Sequence, residues 1–268
     1  MKLRLNRLAL LALLAAAPAL AAAPKPLPAE GGAERVRCLS KAQASPDFAL
    51  QDAIAWEKRG GGADARLCQA LARLGRGEFQ QAAEQIEKVI PELKGSGPGP
   101  LSGLWNRAGW AWLQVHEEAK ALAAYGEALR LKPADADLWI DRATALASME
   151  RYWDALKDLD KVVEIAPQRA DAFALRAAAL NQLSRRSEAE ADLGRSLAID
   201  PQQPDALLLR GNLRMARGDQ DGARADWQQI LDAHAGSDQA KAAAGNLELL
   251  GKPPRGRDEK KKRDEKKR

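Results

Sequence analysis

Large and small apolar residues recur along this chain with a step of 34 positions, set out by units 102–135, 136–169, 170–203 and 204–237. The fourth residues of these units are Trp105, Trp139, Phe173 and Leu207, and the eighth are Gly109, Ala143, Ala177 and Gly211. The eleventh are Trp112, Leu146, Leu180 and Arg214; the twentieth is always alanine, at Ala121, Ala155, Ala189 and Ala223; the twenty-fourth are Tyr125, Leu159, Leu193 and Trp227. At about 100° per residue, positions four, eight and eleven fall on one helix face, and positions twenty and twenty-four on a face of the next. Each unit therefore predicts two amphipathic helices whose small residues let the axes approach while the bulky ones fill the space beside them. Pro133, Pro167 and Pro201 stop the second helix of three units. Asp137, Asp171 and Asp205 follow four residues later, where they can cap or favour the next helix start.

A helix pair of this length cannot bury its apolar face alone and does so by stacking on its neighbours. The order large, small, aromatic, alanine, aromatic, proline at these offsets resembles the tetratricopeptide repeat. That resemblance implies an all-α fold, a right-handed α-solenoid of antiparallel helix pairs, over 102–237. His116 stands where a turn glycine is usual, Arg214 replaces an aromatic and Ala235 replaces the terminal proline. Leu67 to Gly75, followed by Phe79 and Ala82-Ala83, resembles one more unit whose turn is loosened and whose register is open. Residues 33–94 read as N-terminal helical pairs, beginning with helices over 33–44 and 46–59. Ser45-Pro46-Asp47 signals the start of the second, and Gly60-Gly61-Gly62 stops it. The Gly/Pro run at 95–101 reads as a linker and 238–250 as a helix capping the open end.

On the first helix of each unit, positions five, nine, twelve and thirteen turn away from the packing stripe. In tetratricopeptide proteins this face holds extended peptides, and the resemblance implies a groove presenting Asn106, Trp110, Leu113, Gln114, Thr144, Ser148, Asn181, Gln182 and Asn212. Amides there can pair with a peptide backbone, and Trp110 is either an apolar anchor or packed against the 95–100 segment. The basic residues of the family's carboxylate-clamp members are missing from these positions.

A second periodicity is charged. Arg142, Arg176 and Arg210 occupy position seven, and Asp158, Asp192 and Asp226 follow each at 16 residues, while the unit with Ala108 has Ala124 as its partner. The spacing predicts structural Arg–carboxylate pairs across each hairpin, with an anion-binding arginine row as the alternative.

Composition adds the chain's ends. Residues 1–21 combine Lys2, Arg4 and Arg7 with an apolar run and Ala19-Leu20-Ala21, the pattern of a cleavable export signal, so a periplasmic or secreted protein is expected. A Pro/Ala/Gly-rich linker over 22–32 follows. In an oxidising compartment Cys38 and Cys68 form a disulfide, with two buried free thiols as the alternative. The formal charge of +5 is misleading: residues 251–268 carry ten Lys/Arg against four Asp/Glu, and the body between signal and tail is mildly acidic. That tail, with nothing apolar to bury, reads as disordered, either solvated or tethered to anionic membrane or envelope polymer. Nucleic acid is not expected, since no aromatic interleaves the basic run. Only His116 and His234 are present, neither at metal-ligand spacing, and Gly60 to Gly62 lacks the lysine of a phosphate cradle. These residues point to no enzyme, no metal and no cofactor. They point instead to a scaffold holding an unidentified protein or peptide, or to a spacer tethered by its tail.

Overall fold

The computed structural model describes residues 32–93 and 95–251, so the expectations for the export signal, most of the first linker and the basic tail lie outside the described residues. The described residues hold thirteen α-helices, one 3-10 turn and no strand. They divide into two compact units that meet in sequence between Pro167 and Gln168.

The first unit contains α1 (Ala33–Ala44), α2 (Pro46–Lys58), α3 (Gly62–Gly75), α4 (Phe79–Val89), the 3-10 turn Ile90–Glu92, α5 (Pro98–Gln114), α6 (Glu118–Leu131), α7 (Ala136–Ser148) and α8 (Tyr152–Ile165). Its main core gathers Leu67, Leu71, Ile86, Val89, Leu104, Trp112 and Tyr125. A smaller cluster joins Cys38, Ala53 and Cys68, with Trp56 against it. The two cysteines, on α1 and α3, bring their Cα atoms to 5.9 Å, a separation that a disulfide spans.

The second unit contains α9 (Ala170–Gln182), α10 (Arg186–Ile199), α11 (Pro204–Ala216), α12 (Gln220–Ala233) and α13 (Asp238–Gly251). Here Leu207, Ala223, Trp227 and Ile230 pack with Ala240 and Ala243 of α13. Asp238 lies 34 residues after Pro204, so α13 occupies the place of a first helix, the last among the described residues. Two bonds at that same step hold it to α11: Gln239 Nε2 donates to Asp205 Oδ1 at 2.7 Å, and Asn246 Nδ2 to Asn212 Oδ1 at 2.9 Å. Residues 241, 245 and 248, which would receive a further helix, are the exposed Lys241, Gly245 and Glu248. These exposed positions suit the solvent-facing side of a capping helix.

Within each pair the chain turns through one residue of left-handed backbone. His116, Glu150 and Ser184 have φ of 59°, 58° and 62°, and Gly77 and Gly218 have φ of 76° and 93°. At each, the amide three residues past the helix bonds back to a carbonyl of its last turn: Glu117 N to Trp112 O at 3.0 Å, Arg151 N to Leu146 O at 2.9 Å, Arg185 N to Leu180 O at 2.9 Å, Asp219 N to Arg214 O at 2.9 Å and Glu78 N to Arg73 O at 2.9 Å. These bonds satisfy helix-end carbonyls that would otherwise be orphaned. They also fix the open register. Gly77 is the fifteenth residue of a unit that starts at 63, which places Gln69 and Gln85 at positions seven and twenty-three.

Two local expectations change, and the aspartates after each proline take the second of the two roles expected of them. The Gly/Pro run does not end at 101, because α5 begins at Pro98, whose fixed φ and missing N–H suit a first helical position. Ser45 precedes α2 but makes no side-chain capping bond. Asp137, Asp171 and Asp205 lie inside the first turns, where the helix dipole favours them. Side-chain caps are supplied by residues just before the helix: Asp135 accepts from Asp137 N at 3.2 Å and Gln203 from Ala206 N at 2.7 Å.

Candidate interaction face

Position seven meets position twenty-three across the helix pairs. Arg142 Nε and Nη2 donate to the two oxygens of Asp158, each at 2.7 Å. Arg176 does the same to Asp192 at 2.7 and 2.9 Å, and Arg210 to Asp226 at 3.1 and 2.7 Å. The aspartates are buried, and Arg195 and Arg214 add a further contact to Asp192 and Asp226. Arg142 and Arg176 also lie over the rings of Trp139 and Phe173, at 4.8 and 5.5 Å from the centroids. Gln69 and Gln85 face each other at 3.4 Å, and Ala108 and Ala124 are both buried. Each guanidinium is thus engaged in a fork with its own carboxylate, a structural role.

Position eight meets position twenty-four. A Cβ added to Gly211 would come within 2.5 Å of Trp227 Nε1, and one added to Gly109 within 3.1 Å of the Tyr125 ring. Alanine at position eight is paired in its unit with Leu159 or Leu193 instead. The small partner is matched to the large one, glycine to an aromatic and alanine to leucine.

The nine residues placed on the groove face by resemblance separate into distinct environments. Thr144 and Asn181 are half-buried and Gln182 is exposed, outside the packing stripe of their helices. Leu113 is buried in the core that includes Val89, Ile90 and Leu93, so it does not line a groove. Trp110 is half-buried and meets Phe79 of α4 edge-on, with ring centroids 5.2 Å apart. Its aromatic neighbour comes from the helix before the 95–100 segment. The cause of both is non-local: α4 and the 3-10 turn cover the first-helix face of α5. Ser148 Oγ donates to Ala145 O of its own helix at 2.7 Å, and Asn212 is tied to α13. Gln114 is half-buried, and its Nε2 is buried with no hydrogen-bond partner among the described residues.

Asn106 is the most informative of the nine. It is only 7% exposed, so it is not an open groove residue, and its Nδ2 donates to Asp141 Oδ2 of α7 at 2.8 Å. An ionised Asp141 can only accept, which fixes the amide orientation and turns Oδ1 the other way. That Oδ1 has no partner among the described residues, and neither has the hydroxyl of Tyr125, which is 1% exposed. Burial, and secondarily the Asp141 carboxylate, push the Tyr125 phenol above its ordinary range, so the hydroxyl keeps its proton. Arg107, beside Asn106 in sequence, donates to Gly103 O at 2.9 Å, and burial pulls its guanidinium down to about 10. Tyr125 and Asp141 escape a pattern reading because neither lies at positions five, nine, twelve or thirteen. The signal available in sequence is that position five is Ile140, Ala174 and Leu208 in the other units and asparagine only here.

Among the described residues no group of three or more His, Cys, Asp or Glu could hold a metal ion, and no helix is long and apolar enough to cross a membrane.

Comparison with known proteins places this geometry. Residues 109–180 match the tetratricopeptide repeat family model. Among solved structures, MamA from Desulfovibrio magneticus RS-1, residues 41 to the end, superposes with a TM-score of 0.54 at 18% identity, covering 66% of this chain and 97% of that one. YrrB, described as a TPR protein with an unusual peptide-binding site, gives 0.54 at 20% identity, over 65% of this chain and 88% of its own. TTC0263, a thermophilic TPR protein of Thermus thermophilus, gives 0.53 at 18% identity, over 69% and 99%. These likenesses are likenesses of fold. No curated protein matches the chain in sequence.

Proposed function

The repeat array of this chain belongs to the tetratricopeptide repeat family, and from that premise we propose that it is a non-catalytic scaffold of the cell envelope that holds an extended protein segment against the first helices of its repeats. The observation that carries this reading is the division of labour between helix faces. The packing stripes are sealed by matched pairs, and polar side chains such as Thr144, Asn181 and Gln182 stand outside them. An extended segment has unpaired backbone donors and acceptors every residue, which amides and hydroxyls can meet. The peptide-binding site ascribed to YrrB fits the same use of the fold.

Export through residues 1–21 gives the scaffold its compartment, and there Cys38 and Cys68 close into a disulfide that pins α1 to α3. The buried aspartates Asp158, Asp192 and Asp226 are each engaged in an arginine fork, which supports a structural role for them in this reading.

Site-specific photo-crosslinking in intact cells tests the reading. A crosslinker placed at Thr144 or Gln182 is expected to capture a defined protein, and one at the exposed second-helix residue Lys157 is not. Equal capture at Lys157, or loss of all partners when the chain is stopped at Gly251, would shift the function to the tail and leave the array as a spacer.

A further inference from the structure

From α4 on, each second helix seats one large side chain at position twenty-four: Ile86, Tyr125, Leu159, Leu193 and Trp227 are all buried. The pair α1–α2 has no such anchor. The buried residues of α2 are Ala49 and Ala53, while its Phe48 is 63% exposed and Ile54 also faces solvent. α1 adds a single large aliphatic side chain, Leu39, beside Cys38 and Ala42; Leu50 and Trp56 of α2 are half-buried. The ion pairs that tie the two helices to α3 and its end are Arg35–Asp64 at 3.3 Å, Arg66–Glu57 at 3.5 Å and Arg76–Asp47, and Gln69 Nε2 donates to Glu57 at 2.6 Å. Partly exposed ion pairs of this kind stabilise little. The strongest tie is the bond between Cys38 of α1 and Cys68 of α3, whose Cα atoms are 5.9 Å apart.

The surface that this pair covers belongs to the face assigned above to an extended segment. α1 and α2 both pack on α3, and Leu39, Ala42 and Ala49 share a core with Leu67 and Leu71. In the unit that starts at 63, Leu67, Leu71 and Leu74 hold positions five, nine and twelve. Position nine is half-buried or exposed at Trp110, Thr144, Ala178 and Asn212, and buried at Leu71. At position thirteen, a Cβ added to Gly75 would lie 2.9 Å from both Ala42 O and Pro46 Cβ, so the α1–α2 turn closes against the end of α3.

We propose that α1–α2 is a redox-dependent cap, which docks on α3 when Cys38 and Cys68 join and lifts in the dithiol form, returning Leu67, Leu71 and Leu74 to the groove face. Closure is a two-electron step. One S–S bond forms as the two thiols give up two electrons and two protons, and the disulfide of an oxidising protein takes both and becomes a dithiol. In the lifted form Cys38 sits on a detached helix, so the exchange partner reaches it before the docked cap buries both cysteines. Without the bond, the few apolar contacts of the pair must offset the full entropy of ordering two helices; with it, α1 never leaves the neighbourhood of α3. Docking itself stands apart from the scaffold reading, and only the use made of the uncovered leucines rests on it.

Hydrogen exchange read by mass spectrometry tests it on the full mature protein, oxidised, reduced with dithiothreitol, and as Cys38→Ser with Cys68→Ser. Amides of residues 33–58 are expected to exchange about a hundredfold faster in the two forms without the bond, while α5 to α8 keep their protection. A photo-crosslinker at the half-buried Leu74 should then capture, in the double-serine variant and not in the oxidised protein, the partner captured from Thr144. Unchanged protection of 33–58 in both forms without the bond would overturn the cap. Loss of protection throughout 33–165 would overturn it too, because the bond would then support the whole unit. Release of 33–58 with capture from Thr144 but none from Leu74 would overturn the link to the groove. Release with no capture from either position would overturn the scaffold reading and leave the docking claim standing.

Discussion

Gly211→Ala isolates the rule that matches position eight to position twenty-four. The added methyl would sit 2.5 Å from Trp227 Nε1 and 2.8 Å from Cδ1, about 1 Å inside the contact distance at which such atoms attract. The indole is 1% exposed and has no room to retreat, so overpacking should destabilise by about 1 to 3 kcal/mol. Alanine in place of glycine in a helix returns about 1 kcal/mol, leaving a net loss of roughly 1 to 2 kcal/mol. Trp227→Leu alone opens a cavity and should cost about 3 kcal/mol. Combined, the two changes reproduce the Ala/Leu pairing of units 136–169 and 170–203, so the double variant should recover roughly 1 to 2 kcal/mol relative to the sum of the singles. The same change at Gly109 meets the Tyr125 ring and Ala121 O only at 3.1 Å, and should be close to neutral. Urea titration followed by far-ultraviolet circular dichroism measures the parent and all four variants. Additivity within about 0.5 kcal/mol, or a stabilised Gly211→Ala, would refute the volume-matching argument.

The ion pairs give a second cycle. Asp192→Ala strands Arg176 and should cost about 3 kcal/mol in urea, whereas Arg176→Ala with Asp192→Ala copies the Ala108/Ala124 pair and should lose clearly less. The turn residues predict opposite signs: Glu150→Gly should raise stability in urea by up to about 1 kcal/mol, and Gly218→Ala should lower it by a similar amount, because only glycine adopts these dihedrals without strain. Thiol counting on denatured, unreduced protein should find no free cysteine; two free thiols per chain would rule out the disulfide. Reduction should lower stability by about 3 kcal/mol for a loop of this length, read as a reductant-dependent shift of the midpoint.

Local signals carried most of the architecture. The 34-residue step, the alanine at position twenty and the Arg/Asp spacing each describe contacts inside one helix pair, where sequence distance maps directly onto a helical face. The register before residue 95 needed one more datum, the left-handed residue at position fifteen. Gly77 marks it, but His116, Glu150 and Ser184 hold the same backbone without glycine, so no single residue type identifies it in sequence. Pro98 and Pro100 read as linker because proline breaks helix interiors, although proline also starts them. The fates of Leu113 and Trp110 were not legible at all. Their burial depends on α4 and the 3-10 turn arriving over α5 after a longer connection than the later units use, and periodicity says nothing about what covers a face.

This split between local and non-local signals bears on where stability lies in the array. Wherever two positions serve stability, they are matched in kind: Gln69 with Gln85, Ala108 with Ala124, arginine with aspartate, glycine with an aromatic, alanine with leucine. Asn106 gives its Nδ2 to Asp141, while its Oδ1, like the Tyr125 hydroxyl, has no hydrogen-bond partner among the described residues. Each buries a polar atom that a leucine or phenylalanine would spare, at a penalty of about 1 to 3 kcal/mol for every unsatisfied group. At position five the other units carry isoleucine, alanine or leucine, whereas at position twenty-four Trp227 also keeps a buried N–H without a hydrogen-bond partner among the described residues. Asn106→Leu removes one unpartnered amide oxygen but also the bond to Asp141, so the two effects oppose each other and urea titration should find a net change of no more than about 1 kcal/mol; a loss well beyond that would show that the Asp141 bond dominates.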